Sequence, residues 1–314
     1  MFTKFNSVYK SSDNIHDIAY SVYFPMGYIK GVVQIAHGMC EYFGRYDAFA
    51  RFLADNGYIV CGNDHLGHGG SVNDDSELGY FAGQDGWQCV VKDMYKLTKL
   101  MKKNYGDLPY ILFGHSMGSF LARAYCTKFG KHLDGVVFCG TSGVVKGIPA
   151  LLTVIDSLEA VYGDKHRSKW VNKIAFGSYN KRITDNDSPF AWLTRDNDII
   201  KKYSEDEKCT IIFTLNGFEN LMKVLWYVSN NKWFETYNKA LPTFLIAGDA
   251  DPVGQYGKGV EDVYNKLCDN SCNAKLKIYP EARHELLNEL NKQEVYDDLL
   301  EFFEDCIDNK NDLV

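Results

Sequence analysis

Ser116 stands at the centre of Gly114-His115-Ser116-Met117-Gly118, between the apolar run PYILFGH and the segment MGSFLARAYCTKF. Glycines two places before and two places after the serine remove Cβ atoms that a sharp strand-to-helix turn would drive into its neighbours. Such a turn lifts a hydroxyl clear of the backbone at a helix N-terminus, where free N–H groups favour developing negative charge. A serine hydroxyl is a poor nucleophile at neutral pH and needs a base. Among eight histidines, His284, in YPEARHELLNE, follows the last strand-like run and precedes the final helix. Alone it would read as a surface-loop histidine. Asp251, in LIAGDADPVG, follows the preceding strand-like run and could hold an imidazole in the required tautomer. Asp249 is its rival, but Asp251 lies two residues further into the loop, where it can turn toward the histidine.

An acyl-transfer site also needs donors for the oxyanion. One is the Met117 N–H, which follows the nucleophile. The loop His37-Gly38-Met39, after the run GVVQIAH, supplies a second at the Met39 N–H. His37 reads as a brace of that loop. Asp64, His65 and His68, in NDHLGHGGS, read as polar bracing beside the site.

The elements that position these residues are legible in the hydrophobic pattern. Strand candidates are 31–37, 58–64, 109–115, 134–140, 242–248 and 275–280, each too apolar for an exposed edge. FTKFNSV and IAYSVYF read as an antiparallel lead-in. Helices are expected over 45–56, 85–102 and 292–308. In 85–102, Trp87, Val90, Val91, Met94, Leu97 and Met101 form one stripe. Alternating strands and helices predict a mostly parallel sheet flanked by helices. Ser116, Asp251 and His284 then fall at the carboxyl ends of different strands, where open α/β sheets put their chemistry.

The rhythm breaks over 145–236, which reads as a helical cap inserted before the penultimate core strand; 1–144 and 237–314 form the core. Four of the five tryptophans lie in the insertion: Trp170, Trp192, Trp226 and Trp233. Much of this aromatic content must fill a small core of its own. Trp192, Phe213 and Trp226 are the residues expected to line an apolar substrate pocket.

Composition narrows the partners. The 314 residues are 46% hydrophobic and 24% charged, with a net charge of −7. No basic run favours nucleic acid or an anionic membrane surface. No stretch of 18 apolar residues occurs, so no stable membrane insertion is expected. MFTKFNSVYKSSDN carries no secretion signal, and nine scattered cysteines read as reduced thiols, so a cytoplasmic location is expected. Cys268 and Cys272 lack the further ligands of a metal site. The sequence carries no signal for oligomeric state.

HGMCEYFGRY, NDHLGHGGS, GHSMG, GDADPVG and ARHELLNE, in that order, resemble the monoglyceride lipase, lysophospholipase and serine-aminopeptidase-like branch of the α/β-hydrolases. The resemblance spans about residues 30–145 and 240–300. It implies Ser116 as nucleophile, Asp251 as acid, His284 as base, Met39 and Met117 as oxyanion amides, and a variable cap. It implies a serine hydrolase acting on a small-molecule ester or lipid, with no metal or organic cofactor. Two departures bear on the substrate: Glu41-Tyr42 where a Glu-His pair is frequent, and His65-Leu66 where an arginine often stands. Rival readings are a peptidase that anchors a substrate amine on the carboxylates of SEDEK (204–208), and a catalytically silent binding protein. A third, weaker one is a lipid-associated protein docking its cap on membranes.

Overall fold

Runs of Val, Ile and Phe form strands here because both of their faces are covered. The computed structural model describes residues 2–311. β1 (Phe2–Lys10) and β2 (Asp17–Pro25) are the lead-in. β3 (Gly31–Ala36), β4 (Tyr58–Asn63), β5 (Tyr110–His115), β6 (Gly135–Cys139), β7 (Thr243–Gly248) and β8 (Ala274–Tyr279) follow. They build one eight-stranded sheet in the order β1-β2-β4-β3-β5-β6-β7-β8. β2 runs antiparallel to β1 and β4, and the other neighbours are parallel. β3 to β7 are buried along their length. β8 departs from expectation, because it is an edge strand. Its Lys275 and Lys277 reach Asp305 and Asp298 on the last helix, at 2.8 and 2.5 Å.

The helices are α1 (Asp47–Asp55), α2 (Gly86–Tyr105), α3 (Met117–Phe129), α4 (Ile148–Tyr162), α5 (Lys169–Phe176), α6 (Asn197–Glu205), α7 (Leu215–Ser229), α8 (Asn231–Thr236), α9 (Lys258–Asp269) and α10 (Lys292–Asn311). One face of the sheet packs on α1 and α10 through Phe49, Leu53, Val295, Leu299 and Phe303. The other packs on α2, α3 and α9 through Val90, Met94, Leu97, Leu121 and Val260. The stripe expected on α2 is buried as a whole.

Between β6 and β7 the chain is helical, α4 to α8. α7 is bound to the rest by Arg123 of α3, a fully buried cation that donates to the carbonyls of Ser142 and Val228 at 2.9 and 2.5 Å. Asn216 and Asn220 of α7 take the Phe81 and Trp87 amides at 3.0 and 2.9 Å.

The loop after β3 is braced by three buried histidines. His37 Nε2 accepts the His65 N–H at 2.8 Å, so the His37 proton sits on Nδ1 and is donated to the Gly38 carbonyl at 2.8 Å. The His37 and His65 rings lie 4.0 Å apart, and His68 closes the group at 5.2 Å from His37. Burial depresses all three basicities, His65 well below the usual value and His68 to about 3. They are neutral in the fold and protonated in the unfolded chain below roughly pH 6.5. Stability therefore falls as the pH drops below that value, by about 1.4 kcal/mol per pH unit for each proton the unfolded chain alone holds. Urea midpoints at pH 7, 6 and 5 check this: the decline should be shallower in His68→Met by roughly one proton's slope.

Candidate active site

Ser116 has φ 53° and ψ −122°, a region that L-residues with side chains seldom occupy. Packing holds it there. A Cβ at position 118 would lie 2.1 Å from the Ala36 carbonyl oxygen, and one at position 114 would lie 2.5 Å from the Gly118 carbonyl oxygen. Only glycine at both places lets α3 start this close to the ends of β3 and β5. The Ser116 N–H is fixed by the Cys139 carbonyl at 2.9 Å.

The loop after β7 turns Asp251 inward, fully buried, with its Oδ1 accepting the Val253 N–H at 2.8 Å. Its Oδ2 lies 2.9 Å from His284 Nδ1. A carboxylate there fixes the proton on Nδ1 and leaves Nε2 as the basic lone pair. His284 Nε2 is buried and has no hydrogen-bond partner among the described residues. Asp249 faces elsewhere and accepts the Glu281 N–H at 2.6 Å. The His284 ring is held between Trp192, at 5.1 Å, and His115, at 4.7 Å.

Ser116, His284, Met39 and Met117 share one cavity of about 920 Å³. Met117 opens α3, where an amide has no intrahelical acceptor. The Met39 amide has no acceptor among the described residues. Phe120, Ile148, Leu151, Phe176, Leu221 and Leu225 give the cavity apolar walls, and Asn172, Asn180 and Gln255 supply polar ones. Of the aromatics expected at the pocket, Trp192 lines it. Phe213 does not: it is fully buried among His68, Phe81 and Phe218, in the packing of α7 on the core. Trp226 does not either, since it lies on the outer face of α7 and is 46% exposed. Phe176 and Phe190, also from the insertion, reach the cavity.

Sequence reasoning missed a buried ionic group beneath the site. Glu41 accepts from the Gly38 amide, from Tyr46 at 2.7 Å, from Arg45 at 2.9 Å and from His115 at 3.1 Å. Arg45 also forks onto Glu285, next to His284 in the chain, at 2.7 and 2.8 Å. Burial opposes the Glu41 charge, but His115 and Arg45 hold its carboxyl far below the usual range. The signal was present in the motifs: Glu41, Arg45, His115 and Glu285 all lie within them.

Among the described residues, the cluster best placed to hold a cation is Asp156, Glu159 and Glu219, none of which lines the cavity. No described helix is long and apolar enough to cross a membrane. The described cysteines are free thiols, and Cys268 alone of the nine is exposed.

Residues 27–291 match the family model described as "Serine aminopeptidase, S33". The chain is 25% identical over 279 residues to the monoglyceride lipase homolog of Monkeypox virus, covering 88% of this chain and 90% of that protein. It is 25% identical over 292 residues to the monoacylglycerol lipase of Mycolicibacterium smegmatis, covering 90% and 91%. Among solved structures, a thermostable carboxyl esterase from Bacillus coagulans superposes with a TM-score of 0.91 at 29% identity, over 98% of this chain and 100% of that one. With a match over most of its length and an elbow serine at the end of the central strand, the chain belongs to the serine aminopeptidase S33 family of α/β-hydrolases and is a serine hydrolase of the monoglyceride lipase and esterase type.

Proposed function

We propose that the protein hydrolyses carboxylic esters of apolar acyl chains, of the monoacylglycerol or lysophospholipid kind, by a two-step acyl transfer at Ser116. One observation carries the reading: His284 donates its Nδ1–H in a hydrogen bond to the buried Asp251 carboxylate, and its Nε2, which has no partner among the described residues, stands at the cavity that Ser116 also lines. His284 takes the Ser116 proton as the hydroxyl attacks the ester carbonyl. The Met39 and Met117 amides stabilise the oxyanion. The protonated His284 then gives its proton to the departing alcohol. Water attacks the acyl-enzyme by the same steps, and Ser116 recovers its proton. Asp251 stays ionised throughout and steadies the imidazolium.

The segment 145–236 acts as a cap. Ile148, Leu151, Ile174, Phe176, Leu221 and Leu225 from it supply the walls suited to an acyl chain. The similarity to monoglyceride lipases and to a carboxyl esterase supports an ester substrate. Aminopeptidase action is less well supported. The carboxylates lining the cavity are Glu41 and Glu285, and both are engaged by Arg45. Asp206, in SEDEK, is held by Tyr42 at 2.8 Å and does not line the cavity.

A fluorophosphonate probe should label the wild type and leave Ser116→Ala unlabelled; a folded wild type that takes no label would favour a silent binding protein. Asp251→Asn should lower kcat by roughly 10³–10⁴, because the imidazole loses its required tautomer. In a p-nitrophenyl ester series from acetyl to palmitoyl, run beside an aminoacyl p-nitroanilide, the esters should turn over faster. A faster anilide would overturn the ester assignment.

A further inference from the structure

We propose that His115 is a positioning residue, held doubly protonated between the Glu41 carboxylate and the His284 backbone carbonyl, so that one imidazolium ties the oxyanion loop to the loop of the base. The inference rests on the assignment of His284 and Met39 above.

His115 ends β5, next to the nucleophile, and is 6% exposed. Its Nδ1 lies 3.1 Å from Glu41 Oε1, and its Nε2 lies 3.2 Å from the His284 carbonyl oxygen. A carbonyl oxygen only accepts. Glu41 only accepts as well. Its oxygens take the Gly38 N–H, the Tyr46 O–H and an Arg45 N–H, and the Arg45 ion pair at 2.9 Å holds it as a carboxylate with no proton to donate. Two acceptors on opposite sides of one ring require a proton on each nitrogen. A neutral ring would leave a lone pair facing a lone pair in a buried site, a costly arrangement. Burial disfavours the charged ring, yet the Glu41 contact raises its basicity above the ordinary histidine value.

The charged and titratable groups around the ring are Glu41, Arg45 and Tyr46 from the loop after β3 and from α1's approach, and His284 and Glu285 from the loop after β8. Together they form a continuous path. The Gly38 amide, next to the proposed oxyanion donor Met39, is gripped by Glu41. Glu41 grips His115, and His115 grips the backbone of the proposed base. Arg45 runs a second strut from Glu41 to Glu285. His115 borders the cavity, but both of its ring nitrogens are engaged by Glu41 and the His284 carbonyl, so it takes no part in the proton transfer. It sets where the base and the oxyanion donor stand relative to Ser116.

Side-chain ¹H–¹⁵N spectra of the full chain read the state of His115 without substrate, with His115→Gln used to assign its ring. At pH 7.5, where an ordinary histidine is mostly neutral, both ring nitrogens of His115 should carry protons. One unprotonated ring nitrogen at that pH would overturn the proposal and leave the Ser116–His284–Asp251 reading intact. Glu41→Gln keeps the shape and removes the anion. It should return His115 to a single ring proton and lower kcat on p-nitrophenyl butyrate by roughly tenfold or more, since small displacements of reacting groups are expensive, with KM within about twofold. An unchanged kcat in Glu41→Gln with wild-type circular dichroism overturns the positioning role. If Glu41→Gln does not fold, His115→Gln kinetics and the wild-type spectrum decide with the same two outcomes. A wild type that is inactive on every ester overturns the catalytic reading, and the positioning role with it, whatever the spectrum.

Discussion

Backbone crowding at Ser116 is the constraint on which the rest depends. A residue with φ 53° and ψ −122° persists only where its surroundings over-determine it. Here they do so by contact: position 118 has no room for a Cβ between α3 and the end of β3. The central strand, the tight turn and the helix are therefore one rigid unit. Met39, Asp251 and His284 follow the ends of β3, β7 and β8, and the parallel sheet puts those ends on the same side as Ser116. Asp251 and His284 are 33 residues apart in the chain yet form a buried hydrogen bond, because β7 and β8 are adjacent.

The ground beneath this arrangement is ionic rather than apolar. Glu41, Arg45, His115 and Glu285 are buried or nearly so, and buried charges cost stability unless each is paired and hydrogen-bonded. Hydrophobic residues of similar volume could fill the space, but they could not dictate direction. Charge-assisted hydrogen bonds have preferred lengths and angles, and loops without secondary structure depend on such restraints for a fixed shape. In the loop after β3 they act beside the brace of His37, His65 and His68, and in the loop after β8 beside Arg283, which donates to the Ala191 and Thr194 carbonyls.

Much of the fold was legible because its strands are apolar on both faces and its main helices have a single stripe. The six core strands were expected within one or two residues of where they lie. α9 is less legible: Val260, Val263 and Leu267 carry a helical spacing, but the stripe is short and the residues between are mostly polar or charged. The motif residues met in space since their order and strand-end positions follow from chain connectivity. The pocket was less legible. Nothing in a one-dimensional pattern distinguishes Trp192, beside His284, from Trp226, on the outer face of α7, or from Phe213, inside the core. All three are large aromatics in a helical segment, and only the rotation of each helix and the path of each loop decides which way they face. Glu41 was read as part of a familiar motif rather than as a buried anion, because burial of a loop carboxylate depends on residues such as Glu285, 244 positions away.

An open sheet of this kind must also end somewhere. Both outer strands present lysines: Lys4 and Lys10 on β1, and Lys275 and Lys277 on β8. Each has an acidic neighbour, Asp47, Asp17, Asp305 and Asp298 respectively. The ion pairs are exposed enough to contribute little to folding. Their consequence lies between molecules: a second chain offering its own bare strand would have to bury ammonium groups to continue the ladder, so the sheet resists growing by self-association at either rim.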